Sequence, residues 1–338
     1  MMTMTRWEMT DYGRANLRLA RVPRPEPRAG EVLVKVAAVA LNYRDKLVID
    51  NGLGTHLPFP FTPGSDLAGT VVATGAGATR FAVGERVISV FFPGWIDGSY
   101  AGSAANPPGA ALGGNYPGVL AEYVAMPEDW FVAAPHSLDP VAASTLTCAG
   151  LTAWFALVEQ GRLKAGASVL VQGTGGVALF GLQIAKAHGA TVFVTSGDAA
   201  KRERAAALGA DHAIARDGWV ETVHRLTADR GVDHILDIVG GAHLARSLEA
   251  VAVQGRIALI GVIDGVELPG AARHLMLKNA VVQGIRVGHR RALDDLVRAI
   301  DANAIQPVID RRYAFDALPA ALDHLDRGAF GKIVVTLD

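Results

Sequence analysis

The stretch VLVQGTGGVALFG, residues 169–181, constrains the fold of this 338-residue chain more than any other. A β-branched run leads into Gly173-x-Gly175-x-x-Ala178, and the residues that follow carry apolar side chains at helical spacing, so the segment reads as strand, tight turn and helix. The small residues differ in what they permit. Gly173 allows the turn, Gly175 lets the backbone approach a ligand, and Ala178 lets the helix pack close to the strand. The first N–H groups of that helix and its partial positive charge then favour a pyrophosphate. Gly173, Thr174, Gly175, Gly176 and Val177 are the expected contacts to a dinucleotide.

The surroundings agree with a doubly wound parallel sheet, that is, a Rossmann domain. Strands are expected at 168–173, 191–196, 212–215, 234–239, 256–262 and 281–287, with helices such as 177–189 and 199–210 that end at glycine. Residues 1–130 carry a different pattern, with alternating strands at 31–39, 68–75 and 84–90 broken by Gly and Pro, which reads as an all-β domain. Between them, 91–118 lacks periodicity and is rich in Gly, Pro and Ala; an irregular segment of that length is usually functional or mobile. The tail from 288 onward, a helix followed by a final strand KIVVTL, is expected to return to the first domain. The division expected is 1–133 with 281–338 for the first domain and 134–280 for the second.

Composition narrows the function. Half the residues are hydrophobic, 19% are charged and the net charge is −1, so no basic surface points to nucleic acid or an anionic membrane. The single cysteine, Cys148, excludes an intrachain disulfide and a multi-cysteine zinc lobe. No secretory h-region opens the chain, and no apolar run reaches the ~20 residues of a membrane span, so the expected location is the cytoplasm. No Tyr is followed four residues later by Lys, no G-x-S-x-G or H-E-x-x-H occurs, and the ten histidines are scattered without a metal-binding pair.

At the end of the second strand of the doubly wound sheet stand Thr195-Ser196-Gly197, then Asp198, Lys201 and Arg202. An acid at the strand end would accept from ribose hydroxyls, whereas Ser196 with Lys201 suits a 2′-phosphate. The balance favours NADPH over NADH, with Asp198 as the opposing feature.

Taken together, LNYRD (41–45), PGSDLAGTV (63–71), RFAVGERV (80–87), GVLAEYV (118–124), LTCAGLTAW (146–154), GTGGVA, GRIALIGV and FGKIVV (330–335) resemble the medium-chain dehydrogenase/reductase superfamily, and NYRD with GSD its zinc-free quinone oxidoreductase-like branch. The resemblance implies a GroES-like all-β catalytic domain completed by the C-terminal tail, beside the Rossmann domain. Where zinc members place Cys, His and Cys, this chain has Asn42, Ser65 and Cys148, followed in the second case by Asp66. An amide, a hydroxyl and a thiol make a poor zinc site, although Cys148 with Asp66 leaves weak metal binding open.

The same resemblance implies that Thr152, Ser196, Lys201, Gly240, Ile260, Val262 and Lys332 contact the cofactor, and Arg216 stands where relatives carry an adenine-side Tyr. Tyr43, Arg44 and Asn42 are the catalytic candidates. Arg44 alternatively forms an ion pair with Asp45 or Asp66. Ser65, Phe91, Phe92, Trp95 and Cys148 are the candidate pocket residues, with the aromatics open also to ordinary loop anchoring. Without zinc to polarise an alcohol, hydride delivery to a conjugated carbonyl is the easier step. The expectation is a zinc-independent, NADPH-dependent reductase of quinones or α,β-unsaturated carbonyls. The alternatives are an alcohol dehydrogenase and a non-enzymatic NADPH-binding redox sensor. The apolar strand 281–287 is expected to pair with its symmetry mate in a homodimer.

Overall fold

The computed structural model describes residues 2–107, 109–267 and 272–337; Pro108, within the 91–118 segment, lies outside the described residues. The chain divides into two compact units, Met1–Ala149 with Gly288–Asp338, and Gly150–Val287.

The first unit is built on mostly antiparallel β-structure, with the strands Ile309–Ala314 and Lys332–Thr336 paired in parallel. Strands β1 (Thr3–Met9) and β2 (Leu17–Pro23) pair as a hairpin. A second sheet contains β3 (Glu31–Leu41), β4 (Asp66–Thr74), β5 (Arg86–Ser89), β6 (Tyr123–Pro127), β7 (Phe131–Ala133), β14 (Ile309–Ala314) and β15 (Lys332–Thr336). Its order is β14-β15-β3-β4-β5-β7, with β6 also paired to β3. The tail thus contributes two strands to this sheet. Trp7, Leu41, Phe61, Leu67, Phe131 and Ile333 belong to its buried core, where each large apolar side chain contributes about 1.5–3 kcal/mol.

The second unit holds a six-stranded parallel sheet in the order β10-β9-β8-β11-β12-β13, from β8 (Ser168–Gln172), β9 (Thr191–Ser196), β10 (His212–Ala215), β11 (Val232–Asp237), β12 (Val251–Leu259) and β13 (Val281–Gly284). Every residue of β8 is buried, as a central strand covered by helices on both faces requires. The order reverses between β8 and β11, so their C-terminal ends form a switch point, where ligands bind in open α/β sheets.

The joints lie at 149/150 and 287/288, not at 133/134 and 280/281. The short helix Pro140–Ala143 buries Val141 against Ala38, Ala40 and Val334 of the first unit's sheet, which holds 134–149 there. Strand β13 pairs in parallel with β12, which holds 281–287 in the second unit.

Candidate active site

In the second unit, the helix Gly176–Ala187 starts where β8 ends. Gly173 has φ +78°, a left-handed backbone that suits glycine. A Cβ placed on Gly175 would enter open space, with nothing within 4 Å, so the turn leaves a cradle beside the helix N-terminus. The helix packs tightly on the sheet at Gly181, where a Cβ would meet Leu236 Cδ1 at 2.5 Å; Ala178 is fully buried nearby.

A buried chain ties this turn to the one after β11. Gln172 Nε2 donates to Ser247 Oγ at 2.9 Å, and Ser247 Oγ donates to Asp237 Oδ2 at 2.8 Å. Asp237 Oδ1 accepts the N–H groups of Val239 and Gly240 at 3.1 and 2.9 Å. A Cβ on Gly240 would lie 2.2 Å from the Gly261 carbonyl oxygen, so the turn carrying Gly240 packs backbone to backbone against the stretch carrying Ile260 and Val262. Gln172 Oε1 is buried without a hydrogen-bond partner among the described residues. Sequence reasoning missed Gln172, Ser247 and Asp237, because three polar residues so far apart in the chain form no local pattern.

At the end of β9, Ser196 Oγ accepts the Asp198 N–H at 3.2 Å, and the Ser196 carbonyl accepts from Arg202 at 2.8 Å. Asp198 Oδ1 accepts the Lys201 N–H at 3.1 Å, capping the helix Ala199–Ala207. The Arg216 guanidinium carbon lies 3.9 Å from the Cβ position of Gly197. Thr152 is buried in the helical segment Leu151–Trp154.

In the first unit, a single line of hydrogen bonds joins the residues singled out by the GSD stretch. Strand β15 pairs Ile333 with Leu41, which brings the preceding Lys332 beside Asn42. Lys332 Nζ donates at 2.6 Å to the Leu41 carbonyl and at 2.6 Å to Asn42 Oδ1. Asn42 Nδ2 donates to Ser65 Oγ at 3.4 Å, and Ser65 Oγ donates to Asp66 Oδ1 at 2.6 Å. Asp66 Oδ2 accepts the Cys148 N–H at 2.9 Å. An ammonium can only donate, so it fixes the Asn42 amide with its oxygen toward Lys332 and its NH2 toward Ser65.

Gly64, at φ +90°, makes the turn that delivers Ser65 and Asp66 to the start of β4. Cys148 sits in a π-helical turn, Leu146–Gly150, anchored by Thr147 Oγ1 donating to the Ser89 carbonyl at 2.8 Å. Burial pushes the Asp66 carboxyl up to about 6, against the opposing pull of the Lys332 ammonium. Desolvation, and then the Asp66 carboxylate, hold the Cys148 thiol far above its ordinary range, in the protonated form.

Tyr43 opens the helix Tyr43–Asn51 and is 50% exposed, with Lys46 Nζ 5.4 Å from its ring centre. Arg44 donates to the carbonyls of Leu112 and Gly113 at 2.9 and 3.2 Å, lies 3.4 Å from Asp45 and stands over the Phe91 ring at 5.2 Å. Of its expected ion pairs, the one to Asp45 is formed, while both Asp66 oxygens accept from Ser65 and Cys148. Phe91 and Phe92 are buried, and Trp95 is half-buried.

Residues 28–136 match the family described as alcohol dehydrogenase GroES-like domain, and residues 176–302 the family described as zinc-binding dehydrogenase. A zinc-type alcohol dehydrogenase-like protein of Schizosaccharomyces pombe is 37% identical over 320 residues, covering 91% of each chain. The chain belongs to the medium-chain dehydrogenase/reductase superfamily. Human quinone oxidoreductase is 26% identical over 324 residues, 93% of this chain and 91% of that one. Among solved structures, a provisionally named alcohol dehydrogenase of Sinorhizobium meliloti 1021 is 58% identical over the whole of both chains, with a TM-score of 0.97. An NAD-dependent alcohol dehydrogenase is 31% identical, with a TM-score of 0.89 over 99% of this chain and all of that one.

As a member of this superfamily the protein is an NAD(P)H-dependent oxidoreductase. The residues fit a nicotinamide dinucleotide: the Gly175 cradle, the helix start at Gly176 and the unpartnered Gln172 Oε1 are features such a ligand would use. They do not fit the zinc that a superfamily description carries. The Asn42 carbonyl oxygen is engaged by an ammonium, and the Ser65 hydroxyl is committed to Asp66. Among the described residues, no three His, Cys, Asp or Glu side chains gather as a metal-holding group. No helix of the described residues is long and apolar enough to cross a membrane.

Proposed function

We propose that this protein is a zinc-independent, NADPH-dependent reductase of quinones or α,β-unsaturated carbonyl compounds. The line Lys332–Asn42–Ser65–Asp66–Cys148 carries the reading: residues that in a metal enzyme would hold a cation instead satisfy one another, around a fixed ammonium. Hydride delivery to the β-carbon of a conjugated acceptor places the developing charge on a delocalised enolate, which hydrogen-bond donors stabilise without a Lewis acid.

When bound, the nicotinamide supplies the hydride. The chain's own residues hold it through the 173–177 turn and the Gly240, Ile260 and Val262 stretches. Tyr43, with its ring exposed at a helix start, is assigned as enolate hydrogen-bond partner and proton donor, resupplied by solvent. Asn42, its amide oriented by Lys332, is assigned to the nicotinamide ribose.

The choice of NADPH is supported by the cations at the strand end, where Arg202 donates to the Ser196 carbonyl and the Arg216 guanidinium stands beside Gly197; Asp198, which caps a helix, is the opposing feature. Purified protein is expected to oxidise NADPH in the presence of an enone or a quinone, with kcat/KM at least tenfold above that for NADH. Alcohol oxidation alone, with no turnover of any enone, enal or quinone, would contradict the assignment. NADPH binding without turnover, unaffected by Tyr43→Phe, would instead favour a sensor.

A further inference from the structure

The first unit holds a cavity of about 410 Å³ between its N-terminal hairpin and strand β6. Its size is that of a small-ligand site, and no residue of the Lys332–Cys148 line borders it. Met4 of β1, Val22 of β2 and Val124 and Met126 of β6 give it apolar walls that continue into the core of the unit. Two of these are methionines, whose unbranched side chains adapt to a ligand's shape. One side is fixed by close backbone packing. The Gly118 N–H donates to the Thr62 carbonyl at 2.7 Å, and a Cβ on Gly118 would lie 2.3 Å from the Pro63 carbonyl oxygen. The cavity is therefore formed before any ligand arrives.

Two polar side chains interrupt the apolar lining, Thr62 and Arg6. Thr62 is 6% exposed, and its hydroxyl has no hydrogen-bond partner among the described residues. So enclosed a hydroxyl is costly unless something in the cavity bonds it. Arg6 gives its Nε and Nη2 to Glu8 Oε2 at 3.2 and 2.9 Å, which leaves Nη1 without a partner among the described residues. The other oxygen of Glu8 takes both bonds of Arg18, at 3.1 and 2.8 Å, and Arg24 stands over the ring of the lining residue Tyr123 at 5.3 Å. Against these three guanidinia stand two carboxylates, Glu8 and Glu122, and Glu122 Oε2 already accepts the Thr5 N–H at 2.6 Å. The balance is one positive charge in excess. A guanidinium with a free N–H beside apolar walls suits a carboxylate at the end of a hydrocarbon.

We propose that this cavity is a second ligand site, for small apolar monocarboxylates. Arg6 receives the carboxylate, the Thr62 hydroxyl donates a further hydrogen bond to it, and the walls take the hydrocarbon. The site is separate from the residues assigned to hydride transfer, so it stands whichever acceptor the enzyme reduces.

The test is NMR of the full chain carrying carbon-13 methyl methionine, titrated with octanoate and, as the cation of the same chain length, with octylammonium. The Met4 and Met126 signals are assigned through Met4→Leu and Met126→Leu, and Met276 of the second unit serves as the internal control. Octanoate is expected to move the Met4 and Met126 signals and leave Met276 in place, while octylammonium moves none of them. Thr62→Val keeps the shape of the side chain and removes only the hydroxyl, and in Arg6→Gln the buried Glu8 keeps its bonds to Arg18. Each variant is expected to weaken octanoate binding about tenfold, as loss of a hydrogen bond to a charged group does. Octanoate that leaves Met4 and Met126 unmoved up to its solubility limit would overturn the proposal and make the cavity a solvent pocket. So would octylammonium moving them as strongly, or an affinity that neither variant lowers.

Discussion

At the scale of single residues, the decisive feature is the direction of the buried hydrogen bonds. Lys332 donates to Asn42, Asn42 to Ser65 and Ser65 to Asp66, which also takes the Cys148 N–H. The ammonium can only donate, which sets the direction of the line from Lys332 through Asn42 to Ser65. Asp66 gives it a pH signature. Its folded pKa is raised from 3.8 to about 6, so the folded protein holds this proton more tightly than the unfolded chain. The resulting stability is fully present below pH ~4 and is lost as pH rises through about 6, an effect on the order of 2–3 kcal/mol. Urea unfolding of wild type and Asp66→Asn between pH ~4.5 and ~7.5, a window that brackets the raised pKa, checks this: the wild type should lose stability relative to the variant as pH rises, and parallel profiles would contradict it. Asn42, Ser65, Asp66 and Cys148 were legible in the sequence as a set. That Lys332 bonds Asn42 was not, because the two stand 290 positions apart and only the β15–β3 register joins them; the sequence resemblance alone assigns Lys332 to the cofactor.

At the scale of elements, the glycine-rich turn was readable because each small residue answers a local steric demand, and the six parallel strands because buried β-branched runs have few other uses. The strands β1, β2, β6, β7 and β14 escaped sequence reading. Several are part-exposed or only three residues long, and what defines them is pairing, not pattern. Two glycines of one motif separate packing from binding. Gly181→Ala sets a Cβ 2.5 Å from Leu236 and is expected to cost about 1–3 kcal/mol. Gly175→Ala meets no protein atom within 4 Å, so it should leave Tm within a degree or two while raising the cofactor Kd at least tenfold. Thermal melts with cofactor titrations would resolve the pair. A large loss of Tm in Gly175→Ala, or unchanged cofactor affinity, would remove the cradle from the account.

For the whole molecule, the exposed edge of the second unit predicts association. Strand β13 ends the six-stranded sheet, its Val281 is exposed, and Met276 and Leu277 of the helix before it are exposed as well. An open apolar edge of this kind is a template for pairing with a second copy. Light scattering after gel filtration should give a dimer mass, reduced toward a monomer by Val281→Lys, and a monomeric wild type would remove the idea. The central claim is that an internal ammonium and its hydrogen-bonded neighbours stand at the positions where the sequence resemblance puts zinc ligands. Elemental analysis of the protein, paired with its NADPH-dependent reductase rate before and after exhaustive chelation, tests it most directly. The expected result is a zinc content far below one per chain with an undiminished rate; close to one zinc per chain, with activity lost on chelation and restored by zinc, would contradict it.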